Sequence, residues 1–525
     1  MRGDHRDGAA SSGVRLAEVV GSIAMATDLG LGQPLEHVFR SCVIATRFAE
    51  RLGASDEDVE ATYWVALFVG SGCIGTSFEL SDLFGDDIEF RADVVDVGAS
   101  TFAQLRYIFD RAGGGKRGIG RWRAKATLVA GGMSRFQQAF LAHCAVSARM
   151  AEQIGLGEPV VASLLQTFEQ TNGKGIPLGL KGDEVLQPIR IANLTNIVEV
   201  CDREHGAKAT IEFARKNVPY LDANLVEEWC KVAEEMLDGV DAESSWELVV
   251  GGGSRGGRVL TQDELDDLLE LLADFADLKS PWFTGHSRAV ASLVVAAGSE
   301  LGLPPADLVT LRRAALLHDI GRTGVPNTLW DKPGPLTAAE FERVRLHAYY
   351  TDRVLHRCGR LALLASVASA AHERSDGTGY PRATGQTAPV LSKLLAAADC
   401  YHAMIEDRPH RRALARTAAA IELRDAARAG RLDGPAVDAV LAAAGHRTRK
   451  KPAAPAGLTV REVEVLAHVA RGGTAKAIGA SLGISPKTAG NHIERIYQKI
   501  GVSSRAEAAM FAMRHGLVPD WETET

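Results

Sequence analysis

An adjacent histidine and aspartate, His318 and Asp319, close an apolar helical run that Gly321 and then Pro326 bring to an end. Such a pair sets an imidazole and a carboxylate at a buried helix terminus, where together they can hold a metal. The aspartate has two oxygens and can bridge two cations, while a neutral histidine offers one nitrogen, a combination that suits Mn, Fe or Zn better than calcium. A lone His-Asp dipeptide is common and proves little. Four more residues downstream and upstream change its weight: His286, His347 in RLHAYYTDRVL, His372 in AAHERSDGTGYP, and Asp399 in LLAAADCYHAM. Each lies on or beside an apolar helical face, where an unpaired polar group is costly unless it converges with others on a cation.

The elements that must position these residues read as helices. TQDELDDLLELLADFADL opens the metal-bearing region, with Thr261 as N-cap and Glu264 completing a capping box. Upstream, RLAEVVGSIAMATDL, EHVFRSCVIATRFAERLG and DEDVEATYWVALFVGSG also carry apolar residues near helical spacing, and strand signals are sparse. The first thirteen residues, rich in Gly, Ser and charge, read as a disordered lead-in.

The chain repeats itself. At an offset of 249 residues EHVFRSCVIATRFAERLG runs beside GHSRAVASLVVAAGSELG, so His37 falls on His286, and Val69 and Gly70 take the places of His318 and Asp319. Further on TFEQTNGKGIP matches AHERSDGTGYP at an offset of 204, which leaves 45 extra residues in the first copy. That second register pairs His143 with His347 and Phe168 with His372. One further slip pairs Asn196 with Asp399. The first copy thus keeps two histidines and lacks the carboxylates, and is expected to serve packing, dimerisation or ligand sensing. Its insertion includes RAGGGKRGIGRWR (111 to 123), which lacks the GK[ST] of a phosphate loop and reads as a mobile surface loop. Between the copies GGGSRGG (251 to 257) reads as a flexible hinge.

Residues 262 to about 445 resemble the HD-GYP phosphodiesterase family. His318-Asp319 stand at its HD, Gly379-Tyr380-Pro381 at its GYP, and DRPHR (407 to 411) at its RPYR-like segment. The resemblance implies an all-α HD fold, a centre of two or three metal ions, and hydrolysis of cyclic di-GMP through pGpG toward GMP. By position it names His286, His318, Asp319, His347, His372 and Asp399 as ligands, with Asp319 bridging. It gives His318, Asp319 and Arg322 catalytic roles, and Gly379, Tyr380, Arg408 and Arg411 the substrate. Arg322 stands where the family has a lysine. Other departures are Ala371, where the family has a second histidine beside His372; His347-Ala348-Tyr349-Tyr350-Thr351 for HPxxG; Trp282 for a glutamate; and Tyr401-His402-Ala403-Met404 for YDAM. One or two divalent ions are therefore expected, Mn, Fe or Zn before Mg, and His402 is a further candidate ligand.

After a basic, proline-containing linker, HRTRKKPAAPA, four short helices can be read at 459 to 471, 474 to 482, 485 to about 500 and 503 to 515, with Thr474 and Ser485 as N-caps. The segment resembles the LuxR/GerE helix-turn-helix over its whole length. By that resemblance Lys487, Thr488, Asn491 and Arg495 face DNA, and the last helix often dimerises. Gly490 is a departure that weakens the recognition helix by up to ~1 kcal/mol.

The expected protein is all-α: residues 1–13 disordered, 14–245 a degenerate HD-GYP-like domain, 246–260 a linker, 261–445 a metal-binding HD-GYP domain, 446–456 a linker and 457–519 a LuxR-type domain. Composition agrees with a globular chain, since 46% of residues are hydrophobic and 24% charged. A net charge of -7 excludes a protein coated overall in nucleic acid and leaves room for one basic module. Seven scattered cysteines without CxxC point to reduced thiols and the cytoplasm. No run of about eighteen apolar residues is seen, so no membrane partner is expected. Double-stranded DNA, a cyclic dinucleotide and a second copy of the chain are the expected partners. Two functions compete: a working phosphodiesterase coupled to DNA binding, and a transcription factor that senses a nucleotide or metal without turnover.

Overall fold

The computed structural model describes residues 13–94, 101–114, 116, 118–218, 220–240, 244–251, 255–446, 455–515 and 517. The expected disordered lead-in lies outside them except for Gly13, as does most of the second linker. Among the described residues there are helices and three isolated β-bridges but no strand ladder, in agreement with the all-α reading. The chain divides into two compact units, 1–446 and 447–525.

In the larger unit the two sequence copies do not form separate bodies. One continuous apolar core runs from Val14 to Leu441 and takes side chains from both. The expected hinge is tied down where it is described. Leu16 and Ala17 donate backbone hydrogen bonds to the Arg258 and Gly256 carbonyls, and Trp246 packs edge-on against Phe39 with ring centroids 5.2 Å apart. Glycines there serve close approach instead of flexibility: a Cβ at Gly256 would lie 2.7 Å from the Ala17 Cβ.

The inserted segment of the first copy also differs from a plain loop. It builds helices Ser77–Phe84, Asp87–Val94 and Thr101–Arg111, and the stretch IGRWR lies in the opening turns of helix Ile119–Gln153. Asp87 from this insertion reaches the second copy, where it accepts from Lys279 Nζ at 2.8 Å and from the Asn327 backbone at 2.8 Å, and pairs with Arg91 at 2.8 Å. Burial opposes its charge, but the two cations outweigh that and hold the carboxyl at about 2. A buried ion pair of this kind is poor evidence of stability, because desolvation offsets attraction; it does fix which helices meet.

Stretch Asp56–Phe84 is apolar enough on average to cross a membrane, with mean hydropathy 1.2, contrary to the expectation of no such run. It is broken into two α-helices and a 3-10 turn, and 78% of its apolar 18-residue window is buried inside the body. A helix facing core on all sides needs the same composition as one facing lipid.

The smaller unit has helices Val460–Ala470, Ala475–Leu482, Pro486–Ile500 and Arg505–Arg514 around a core that includes Leu466, Ile478, Ala489 and Ile496. Thr474 and Ser485 cap as expected, accepting from the Ala477 and Thr488 backbones. Thr459–Glu462 and Ser504–Glu507 form capping boxes that close two further N-termini.

Candidate metal centre and DNA-binding face

Two helix ends, two mid-helix positions and one loop supply the site. His286 is the first residue of helix His286–Glu300, and Gly285 before it takes a left-handed φ of 78° that turns the chain into that helix. His318 caps the C-terminus of helix Pro305–Leu317. Just beyond, Gly321 lies so close to helix Ala338–Arg357 that a Cβ would come within 2.1 Å of the His347 carbonyl oxygen. Thr351 of that helix ties the turn down. Its hydroxyl donates to the His318 carbonyl at 3.0 Å and accepts from the Gly321 N–H at 3.1 Å. His347 projects from the middle of the same helix, and Asp399 from the middle of Val390–Ile405. His372 sits in the loop after Ala362–Ala368, stacked on Tyr380 with ring centroids 5.0 Å apart.

All six sequence-predicted ligands converge. His286 Nε2 lies 3.2 Å from Asp399 and 3.6 Å from Asp319. His318 Nε2 is 2.9 Å from Asp319, His347 Nε2 is 2.7 Å from His372 Nε2, and His372 Nδ1 is 3.5 Å from Asp399. Two compact ligand groups share one residue: His286, His318 and Asp319 form one, Asp319, His347 and His372 the other. One oxygen of Asp319 faces each group, which is the arrangement of a bridging carboxylate.

The protons point the same way. His318 Nδ1 lies 2.6 Å from the Ala315 carbonyl and His347 Nδ1 lies 2.5 Å from the Val344 carbonyl. A carbonyl only accepts, so Nδ1 carries hydrogen in both rings and a neutral ring turns its Nε2 lone pair inward. His318 Nε2 and both oxygens of Asp319 are buried without a hydrogen-bond partner. Buried acceptors left this way are rare in proteins and costly. The donor set of imidazole nitrogens and carboxylates therefore fits divalent transition ions. Protons compete for the same atoms. Burial disfavours charge on His318, but Asp319 and Asp399 outweigh it and push the ring up to about 10. Burial and the neighbouring His372 instead push His347 down to about 3.

Beside the ligands opens a cleft of about 460 Å³, lined among others by Phe283, Arg322, Trp330, Arg374, Met404 and Arg408. Arg322 touches Asp319 with one terminal nitrogen and lies 4.1 Å over the Phe283 ring. Its Nε and other terminal nitrogen are buried without a partner. Arg408 binds Glu406 at 2.7 Å and also lies over Phe283.

Not every expected substrate residue reaches this cleft. Arg411 instead caps helix Val390–Ile405, donating to the carbonyls of Ala403, Met404 and Glu406. The orphan carbonyls at a helix C-terminus compete effectively for a guanidinium. Gly379 has a backbone role, because a Cβ there would come within 2.2 Å of the Arg374 nitrogen. Tyr380 backs the His372 ring. Ala371 is fully buried and offers no ligand. The sequence reading missed Glu406, whose Oε2 lies 2.8 Å from His286 Nδ1; its only signal is a carboxylate one helical turn after His402.

The same hydrogen bonds recur in the first half. Gly72 donates to Ser147 as Gly321 does to Thr351, and Glu169 accepts from Leu178 and Leu180 as Glu373 does from Arg382 and Thr384. His37 Nε2 meets Asn196 at 3.0 Å, where His286 meets Asp399. His143 Nε2 donates to the Val69 carbonyl at 2.8 Å, and Phe168 lies against its ring. A carboxylate is present after all, since Glu199 accepts from His37 Nδ1, but it lies on the far side of the ring from Asn196.

Comparison with known proteins agrees with this geometry. Residues 270–435 match the family described as HD domain. The chain is 30% identical over 406 residues to the 3'3'-cGAMP-specific phosphodiesterase 3 of Vibrio cholerae, covering 76% of this chain and 88% of that protein. The chain belongs to the HD-GYP phosphodiesterase family. It is also 40% identical over 129 residues to a cyclic di-GMP phosphodiesterase of Pseudomonas aeruginosa, of which it spans about a third, 31%. The crystal structure of the V. cholerae cyclic GMP-AMP-specific enzyme superposes with a TM-score of 0.57 at 26% identity, covering 83% of this chain and 98% of that one. HD-GYP phosphodiesterases are metal-dependent.

This HD-GYP protein also carries a second module. Residues 456–512 match the family described as bacterial regulatory proteins, luxR family. On helix Pro486–Ile500 the residues Lys487, Thr488, Asn491 and Arg495 are exposed while Ala489 and Ile496 are buried. The protein is thus a regulator in which an HD-GYP domain is fused to a LuxR-type DNA-binding domain.

Proposed function

We propose that the second half hydrolyses a guanine-containing cyclic dinucleotide, such as cyclic di-GMP or 3'3'-cGAMP, at a centre of one or two Mn, Fe or Zn ions, and that this activity is coupled to DNA binding. The observation that carries the reading is Asp319, buried between two histidine groups with neither oxygen hydrogen-bonded, beside a buried Arg322 with unpartnered N–H groups.

His286, His318 and one oxygen of Asp319 would hold the first ion, and His347, His372 and the other oxygen the second, with Asp399 reaching both. Divalent ions there supply Lewis acidity toward phosphorus and a bound water of lowered pKa. Arg322 offers its open N–H groups to the phosphoryl oxygens, and its charge stays fixed through the reaction. Arg408 lies across the same cleft, while Phe283 and Trp330 form apolar walls that exclude water and hold both guanidiniums in place. The relatives named for cyclic di-GMP and cGAMP support the substrate class.

The first half is, on this reading, a duplicate that lost its ligands and now supports the second. The exposed set Lys487, Thr488, Asn491 and Arg495 would contact double-stranded DNA, in a homodimer that reads two half-sites, in the cytoplasm. Metal analysis followed by hydrolysis of cyclic di-GMP and 3'3'-cGAMP tests the enzymatic part. Turnover that survives His318→Ala would rule out this site. A second reading, a sensor that binds without turnover, is favoured by Ala371, which removes one ligand nitrogen. It predicts tight nucleotide binding, a shift in DNA affinity and no product.

A further inference from the structure

Nothing in the family resemblance assigns a role to Glu406, and its surroundings give it one. His286 offers Nε2 toward Asp319 and Asp399 only if its ring is held at one angle and its proton sits on Nδ1. Glu406 meets both needs: it accepts from Nδ1 at 2.8 Å. It sits at the C-terminal end of the helix that carries Asp399, so one helix grips the imidazole on both nitrogens. Arg408 at 2.7 Å and His402 at 3.2 Å in turn hold the carboxylate.

The first half supplies an independent comparison. There Asn196 on Nε2 corresponds to Asp399, and Glu199 on Nδ1 falls, in the same register, at the position of His402. The carboxylate on Nδ1 therefore stands at one position in the first half and four residues later in the second. Four residues are one helical turn on the same face. In the second half the vacated position is filled by His402, which leans on the relocated carboxylate.

We infer that Glu406 is the positioning carboxylate of His286, taking over in the second half the task that falls to Glu199 in the first. Glu406 acts through His286 and does not itself bind an ion. His286, His402 and Glu406 are close enough to share one. However, the carboxylate already accepts from the His286 N–H and Arg408, and an ion there would require His286 to give up that proton. The inference rests on His286 being a metal ligand, and its test uses metal binding without substrate, so that a failure to hydrolyse cyclic dinucleotides leaves it standing.

Mn2+ affinity and stoichiometry are measured on the full chain for the wild type, Glu406→Ala, Glu406→Gln, and the double change His402→Glu with Glu406→Ala, which installs the arrangement of the first half. Loss of an outer carboxylate on a metal-bound histidine typically costs about 10–100-fold in affinity. Glu406→Ala is expected to weaken one Mn2+ by that factor at unchanged stoichiometry. Glu406→Gln, which still accepts from Nδ1, is expected to fall between it and the wild type, and the double change to recover most of the affinity. Unchanged affinity in Glu406→Ala overturns the inference, as does the loss of a whole equivalent of Mn2+, which would make Glu406 a ligand. A double variant that melts like the wild type but binds no better than Glu406→Ala overturns it too. A wild type that takes up no Mn2+, Fe2+ or Zn2+ would bring down the metal reading and this inference together.

Discussion

His37 and His286 begin corresponding helices, 249 residues apart, and each ring is gripped at both nitrogens, yet their surroundings could hardly differ more in what they leave open. Around His37 the ring and its carboxylate have protein partners: Asn196 and Glu199 take the ring, and Arg40 takes the other oxygen of Glu199 at 2.7 Å. Around His286 the ring meets Asp399 and Glu406, but His318 Nε2 is left without a hydrogen bond, and Asp319, in contact with the Arg322 charge, has no hydrogen bond at either oxygen. Val69 stands where the second half has His318, Gly70 where it has Asp319, Phe168 where it has His372 and Asn196 where it has Asp399, so the first pocket lacks those ligands. One backbone thus supports either a closed hydrogen-bonded plug or an ion-demanding site, depending on four side chains.

The sharpest way to break this comparison is Asp319→Ala. Because that residue serves both ligand groups, all divalent-metal binding and all hydrolysis should be lost, while Asn196→Ala should leave metal content unchanged; metal analysis of the purified variants decides it. Chelation should act next most strongly. A ligand that binds only the folded state at a hundred times its Kd stabilises by about 2.7 kcal/mol, so stripping metal should lower the melting temperature of the wild type by several degrees. The His318→Ala variant should show little change.

A smaller effect separates the two halves by pH. Asp28 and Asp277 are equivalent buried aspartates near the C-termini of the helices that precede those of His37 and His286. Asp277 accepts from both the backbone and hydroxyl of Ser287, at 3.0 and 2.8 Å, whereas Asp28 accepts only from the Val38 backbone at 3.2 Å. Burial pushes Asp28 up to about 8, against a lowering pull from His37. A carboxyl raised on folding favours the folded state fully below its ordinary range near 3.8, and that contribution is lost as pH rises through about 8. Stability should therefore decline from about pH 4 to about pH 8 and level off above it, and Asp28→Asn should flatten the decline; denaturant titrations across that range would show it. Val38→Ser, which copies the second half, should have the same sign and a smaller size. Smallest of all, Gly490→Ala should stabilise the DNA-binding unit by up to about 1 kcal/mol, since nothing lies within 4 Å of the added Cβ. Calorimetry that found destabilisation would show that the glycine is needed for packing or backbone freedom.

Much of the site was legible in the residues because metal chemistry restricts residue type: six histidines and aspartates on apolar helices had few other uses, and all six converge. Helix caps were legible for a similar reason, since Thr261, Thr474 and Ser485 satisfy neighbours three residues away. Arg411, expected at a phosphate, donates to three carbonyls, a choice that depends on where the preceding helix ends. The hinge was also misread, since Gly256 looks flexible until Ala17 and Tyr63 are seen against it.

By itself the sequence determined the helical class and the presence of a LuxR-type module, and it named six histidines and aspartates that the fold brings together. Those depend on composition, periodicity and contacts within a few residues. Only the tertiary structure decided that both halves share one core, that Nδ1 of His318 and His347 is spent on helix carbonyls, that Asp319 lies between two ligand groups, and that Glu406 reaches His286. Such choices depend on which elements pack around each group, where burial makes a polar atom seek a partner and several candidates compete for it.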